Sequence, residues 1–140
     1  MKKIIVPLLL FIASGHAFAE AALTQSISGA KVYIISPQDG SIVSSPVTIK
    51  FGLAGMGVAP AGVKKSNTGH HHLLIDTQSL PDLKMPLAST DRIKHFGKGQ
   101  TETSLNLSPG KHTLQLVLGN YAHTPHDNPL VSDKITIEVK

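Results

Sequence analysis

The sequence contains no cysteine and no tryptophan among its 140 residues. Without cysteine, disulfide bonds and blue-copper electron-transfer centres are excluded, because both require sulfur from this residue. A bacterial lipid anchor is excluded for the same reason. The stability of the folded chain must therefore come from packing, hydrogen bonds or a bound metal ion.

Positive charge and aromatic side chains are also too sparse for a nucleic-acid interface. Aromatic residues make up 4% of the sequence, and the formal net charge is +4 at pH 7. Beyond the first three residues, Lys64-Lys65 is the only adjacent basic pair. No basic stripe with interleaved stacking residues is present. We therefore expect no nucleic-acid partner.

Strong hydrophobicity is confined to the amino end of the chain. Lys2 and Lys3 precede an apolar run over residues 4–13, and Ala17-Phe18-Ala19 supplies the small residues of a cleavage site. This order is typical of a secretory signal peptide. A transmembrane anchor, the alternative, needs about 20 apolar residues, roughly twice this run. We predict a signal peptide over residues 1–19, cleaved after Ala19, and no membrane span in the remaining chain.

Short β-rich runs separated by turn residues follow from residue 31 onward. Alternation is clearest over residues 112–118, where His112 and three leucines share one face. Val47, Ile49 and Phe51 alternate in the same way. The predicted strands cover residues 31–36, 47–53, 70–76, 103–107, 112–118 and 134–139.

These short strands, without any long helical pattern, predict an all-β fold. We expect an antiparallel β-sandwich, immunoglobulin-like, over residues 31–140, with a barrel as the main alternative. Residues 20–30 are small and polar, and we interpret them as a flexible leader. Residues 77–101 are too long for an ordinary hairpin loop. We expect an edge strand and a helical turn within them.

Histidine is the residue type that points to chemistry. His70-His71-His72 lies on a predicted strand, where residues two apart face the same side. His70 and His72 therefore share one face, and His71 points to the core. A second pair, His123 and His126, lies in the loop after the strand at residues 112–118.

The predicted topology brings these two groups together. In an immunoglobulin-like sheet the strand at residues 70–76 pairs antiparallel with the strand at residues 112–118. The loop after the second strand then lies beside the start of the first. We therefore predict a metal site formed by four histidines at one end of the sandwich: His70, His72, His123 and His126. The alternative is a surface cluster of histidines without a ligand.

The predicted donor set restricts the metal. Neutral imidazoles suit copper, zinc or nickel, whereas calcium and magnesium prefer oxygen ligands. We expect copper or zinc. His95 is interpreted as a surface residue, with a ligand role as the alternative, and His112 as structural, near the position of the aromatic residue in a tyrosine corner.

Several segments together resemble a family of small exported bacterial proteins classed as a domain of unknown function. The similar segments are Gly69-His70-His71-His72-Leu73-Leu74-Ile75-Asp76, Phe96-Gly97-Lys98-Gly99-Gln100-Thr101, Pro109-Gly110-Lys111-His112-Thr113-Leu114-Gln115-Leu116 and His123-Thr124-Pro125-His126. The resemblance covers nearly the whole chain after residue 19. It implies a periplasmic location and brings no established activity or ligand.

Three functions follow from these observations. The first is a periplasmic metal-binding protein for copper or zinc, without enzymatic activity. The second is an immunoglobulin-like interaction module that binds an envelope protein or glycan through its end loops. The third is a metal-assisted hydrolase with Asp76 or Asp127 as base. The sequence offers no nucleophile elbow and no recognisable acid and base pair, which disfavours the third.

Overall fold

The computed structural model describes residues 23–140. The predicted signal peptide lies outside these residues. Within them the fold is all-β, and no helix has the length and hydropathy needed to cross a bilayer. Residues 23–30 contain no strand. The prediction of a flexible leader over residues 20–30 stays a prediction.

Nine strands form the described part of the chain, and they include all six that the sequence predicts. Their bounds are β1 Lys31–Ser36, β2 Ile42–Val43, β3 Val47–Ala54, β4 Gly57–Val58, β5 Thr68–Ile75, β6 Ile93–His95, β7 Glu102–Leu105, β8 Gly110–Gly119 and β9 Ile135–Val139. The additional strands, β2, β4 and β6, have two or three residues each. Such short runs carry too little alternation to be recognised in a sequence.

The strands form two sheets. One has three strands in the order β1-β3-β7, and the other has the order β2-β9-β8-β5-β4, with β6 also paired to β5. Pairing is antiparallel except between β2 and β9 and between β4 and β5. The predicted antiparallel pairing of β5 with β8 is present over six residue pairs, from His70 opposite Gly119 to Ile75 opposite Leu114.

One hydrophobic core joins the two sheets into a β-sandwich, which confirms the predicted fold class. The three-stranded sheet contributes buried residues such as Val47, Ile49 and Phe51, and the six-stranded sheet contributes residues such as Leu116 and Ile137. Alternate positions of each strand point into this core because successive side chains of a strand face opposite sides. The immunoglobulin-like assignment stays a prediction.

A second, smaller apolar cluster lies on the other face of the six-stranded sheet. It contains Leu74 of β5, Val117 of β8 and Leu87 of the long connection before β6. The long connection therefore covers the outer face of the sheet. It includes the expected edge strand, which is β6, but not the expected helical turn. Apolar side chains of this connection such as Leu87 are buried against the sheet by a backbone without helix, so no helical turn is needed to bury them.

Candidate metal centre

Strand β5 places two histidines on the outer face of the six-stranded sheet. His71 is buried on the inner face and packs on Phe51, with ring centroids 5.2 Å apart. His70 and His72 alternate with it, on the same side as Leu74. Both have 0% exposed surface. The predicted division of the three histidines between two faces is therefore present.

The neighbours of β5 bring two more histidines to the same place. Strand β6 pairs with β5 in a register that puts His95 opposite His72. On the other side, β8 ends at Gly119, opposite His70, and the loop that follows carries His123. His95 and His123 are partly buried. The cluster thus lies on the outer face of the sheet, near the end where β5 begins.

Hydrogen bonds within the loop after β8 fix the position of His123. The Asn120 side chain, 2% exposed, accepts hydrogen bonds from the backbone N–H groups of Ala122 at 2.8 Å and Thr124 at 3.1 Å. His123 has a φ of 65°, a left-handed backbone conformation that residues other than glycine rarely adopt. Its carbonyl accepts a hydrogen bond from the N–H of Leu87 at 2.9 Å. The loop is therefore held both internally and by the long connection.

Two glycines make room for the imidazole rings. A Cβ atom on Gly119 would lie 2.6 Å from Cε1 of His72. A Cβ atom on Gly97 would overlap the ring of His95. Since real Cβ atoms do not approach other atoms so closely, neither position accepts a larger residue without moving a histidine of the cluster.

The four histidines converge through their ring nitrogens. Nε2 of His70 lies 3.2 Å from Nδ1 of His123 and 3.2 Å from Nε2 of His95. One nitrogen from each of the four rings, including His72, lies within 4.8 Å of the others. In a tetrahedral site with metal–nitrogen distances of about 2.0–2.1 Å, ligand nitrogens are about 3.3 Å apart. This group could hold a metal ion.

The surroundings of His70, His72 and His95 disfavour the charged forms of their imidazoles. Burial, followed by repulsion from His95, His123 and His71, lowers the pKa of His70 to about 4. Burial, followed by repulsion from His70, His95 and His123, lowers the pKa of His72 to about 3, and the backbone of His70 offsets this only in part. The pKa of His95 is lowered mainly by burial and then by His123. Neutral imidazoles are the form that binds metal ions.

Unsatisfied nitrogens support the fit of a metal ion to this cluster. Both ring nitrogens of His72 are buried and have no hydrogen-bond partner within residues 23–140. Nε2 of His70 faces two nitrogens, although a neutral imidazole nitrogen is either a donor or an acceptor. A shared cation would accept the lone pairs of all four rings at once, which N–H···N bonds cannot do.

The structure brings together three of the four predicted ligands and replaces the fourth. His126 is not in the cluster: it is 1% exposed, and its Nε2 lies 3.3 Å from the carbonyl oxygen of Thr68. A bridge between Gly119 and Pro125 returns the loop to the end of β8 before His126. The spacing of two residues between His123 and His126 therefore does not bring both rings to one point.

His95 takes the place in the cluster that the sequence gives to His126. The sequence interpretation favours a surface position for His95, but its ring contacts His70 and lies opposite His72. One signal in the sequence points to its orientation. The next residue, Phe96, is buried in the main core, so alternation directs His95 to the outer face.

The remaining candidate residues have structural hydrogen bonds. His112 contacts Oδ2 of Asp76 and the carbonyl oxygen of Ser108, both at 2.8 Å, in agreement with its predicted structural role. Oδ1 of Asp76 accepts the N–H of Thr113 at 2.8 Å. The carboxylate of Asp127 accepts backbone N–H groups at 3.0 and 2.7 Å. Neither aspartate belongs to the histidine cluster.

Comparison with known proteins gives a family for this chain. The chain matches no curated protein and no solved structure. A family model described as a domain of unknown function, DUF4399, matches residues 49–140. This range is about two thirds of the chain, and it includes most of β3, all of β4 to β9 and all four histidines of the cluster. The chain belongs to the DUF4399 family of domains of unknown function.

Proposed function

We propose that this chain is an exported, periplasmic protein that binds one copper or zinc ion through His70, His72, His95 and His123, without enzymatic activity. One observation carries the proposal: four imidazoles from three separate segments place a nitrogen within 4.8 Å of one another, two of them fully buried. Burying polar nitrogens without partners is unfavourable by roughly 1–3 kcal/mol each, so such a cluster needs a compensating ligand.

The donor set favours copper or zinc over other common ions. All four donors are imidazole nitrogens, and the group contains no carboxylate and no thiolate. Calcium and magnesium require oxygen ligands, whereas zinc and copper bind imidazole strongly. Met85 is 58% exposed and Met56 packs against the main core, so neither methionine is part of the described cluster.

Metal titration of tag-free protein tests the proposal. We expect uptake of one equivalent of Cu²⁺ or Zn²⁺ at micromolar concentration, measured by calorimetry and by elemental analysis after dialysis. His72→Ala should abolish this uptake, because it removes one of the two fully buried ligands that β5 supplies. Unfolding by circular dichroism shows whether the variant is folded.

His126→Ala is the matched control. His126 is buried to nearly the same extent as His70 and His72, but it lies outside the cluster. We expect this variant to bind one equivalent with unchanged affinity. The proposal is wrong if the unaltered protein takes up neither ion, or if the two substitutions reduce uptake equally.

A further inference from the structure

The four histidines belong to two pairs that differ in how the fold supports them. His70 and His72 lie on β5, which is paired on both edges: with β8 on one side, and with β6 and β4 on the other. His95 lies on β6, a strand of three residues that pairs with β5 alone. His123 lies in a loop. The cluster thus combines a pair on a central strand with a pair on peripheral segments.

The two pairs of histidines also differ in their exposure to solvent. His70 and His72 are sealed from solvent at 0% exposure, whereas His95 and His123 retain part of their surface. An ion or an incoming ligand can therefore reach the cluster past His95 and His123. It cannot reach it past β5, whose other face is the main core.

The histidines of the cluster lack the supporting hydrogen bonds that usually fix metal ligands. A metal-binding histidine normally donates its second ring N–H to a carbonyl, carboxylate or water, and loss of that partner lowers metal affinity by about 10- to 100-fold. Among residues 23–140, Nδ1 of His70 and both nitrogens of His72 are buried without any partner. Even with an ion bound, one ring nitrogen of His70 and one of His72 stay without a hydrogen-bond partner among these residues.

The charge of the cluster also limits how tightly it can hold an ion. Its four donors are imidazole nitrogens, and neither a carboxylate nor a thiolate belongs to the group. A divalent ion would keep its full charge in a partly buried site, and an uncompensated charge is unfavourable there. Permanent structural zinc sites commonly use thiolates, which neutralise the ion.

From this geometry we propose that the metal ion is exchangeable cargo, which enters and leaves on the side of His95 and His123 while His70 and His72 stay in place. This inference rests on the proposed function. It makes the protein a metal carrier that gives its ion to an acceptor with nitrogen or sulfur donors.

Transfer to such an acceptor follows an exchange of ligands. A donor atom of the acceptor forms a bond to the ion as the bond from His123 breaks, and a second donor then replaces His95. Further donors of the acceptor replace His70 and His72, whose side chains keep their positions on β5. The ion keeps its oxidation state throughout. A nitrogen or thioether donor replaces an imidazole without transfer of a proton, whereas a thiol donor binds as the thiolate and gives its proton to solvent.

Stopped-flow mixing of metal-loaded protein with a chelator tests the inference. We expect the transfer rate to rise with chelator concentration and transfer to finish while the circular dichroism spectrum is unchanged. His123→Ala should bind one ion more weakly and release it about 10-fold faster or more. His72→Ala should bind none, since the retained pair is broken.

The possible results distinguish the inference from the proposed function. A release rate that is independent of chelator concentration and equal to the unfolding rate would show a trapped structural ion and overturn the carrier role, while metal binding itself would stand. Equal loss of binding in His123→Ala and His72→Ala would also overturn it. Absence of uptake by the unaltered protein would overturn both proposals.

Discussion

The two ends of β5 hold histidines in opposite electrostatic surroundings. At its start, His70 and His72 lie in a group without carboxylates, and burial lowers their pKa values to about 4 and about 3. Beyond its other end, Asp76 pairs with His112, and this hydrogen bond raises the pKa of His112. One strand thus carries two histidines that favour the neutral form, His70 and His72, and leads to the carboxylate that favours the charged form of His112.

The hydrogen-bond partners explain the difference. Both ring nitrogens of His112 face oxygen acceptors, the carboxylate of Asp76 and the carbonyl of Ser108. Only the protonated imidazole donates from both nitrogens. In the cluster, Nε2 of His70 faces ring nitrogens of His95 and His123 instead of oxygens. These nitrogens can bind a shared metal ion through their lone pairs, but they offer no arrangement that favours a doubly protonated imidazole. Acceptor type therefore separates a structural histidine from a candidate metal ligand.

The distance between the two ends makes the comparison testable. With a rise of about 3.3 Å per residue, Asp76 lies about 13 Å from His72 along the strand. Substitutions at positions this far apart usually act independently. Changes at the cluster should alter metal binding, and changes at Asp76 should alter stability alone.

The largest effect is expected from Gly119→Ala. The added Cβ atom would lie 2.6 Å from the ring of His72, so the ring must leave its position. We expect metal affinity, measured by competition with a chelator, to fall by about 10- to 100-fold, as when ligand orientation is disturbed. Overpacking should also lower the free energy of unfolding by about 1–3 kcal/mol.

Gly57→Ala is the control for this substitution. Its added Cβ atom would lie 3.5 Å from Thr68, an ordinary contact, and Gly57 has no left-handed backbone to strain. We expect unchanged metal affinity. Gly97→Ala, which displaces His95 instead, provides a second displacement if Gly119→Ala does not fold. Unchanged metal affinity in both Gly119→Ala and Gly97→Ala would contradict the conclusion that these two glycines make room for the imidazole rings.

The sequence predicts the features of this site that depend on local alternation. The opposite orientations of His70 and His71, the pairing of β5 with β8 and the nearness of His123 all follow from strand periodicity and sheet order. The presence of His95 in the cluster in place of His126 does not follow from strand periodicity or sheet order. It depends on the register of β6 against β5, which the long connection sets through contacts such as Leu87 on Leu74.

The loop after β8 shows a second limit of sequence interpretation. The orientation of His123 depends on a left-handed backbone at that residue and on hydrogen bonds that backbone N–H groups of the loop donate to the buried Asn120 side chain. Neither follows from composition or periodicity, because the partners of Asn120 are backbone groups of the folded loop. Within the cluster, Gly97 and Gly119 mark where the rings of His95 and His72 approach the backbone closely.

A moderate effect is expected from Asp76→Asn at the other end of β5. Asparagine keeps an acceptor for the N–H of Thr113 but removes the charge that pairs with His112. We expect the free energy of unfolding to fall by about 1 kcal/mol, less than for a buried charged hydrogen bond because Asp76 is 40% exposed. Chemical denaturation measures this change. Loss of metal binding in this variant would show that the two ends are coupled.

The smallest effect is the dependence of that stability difference on pH. The folded-state pKa of His112 is raised above its ordinary value of 6.5, so its contribution is fully present below 6.5 and is lost as the pH rises through the raised value. Asp76→Asn removes the main cause of this shift. Denaturation of both proteins at about pH 5.5 and about pH 8 should show a stability difference that shrinks by under about 1 kcal/mol at the higher pH. The other histidines are present in both proteins, so their titration cancels in the comparison. A difference that grows with pH would mean that His112 is not stabilised in its charged form by Asp76.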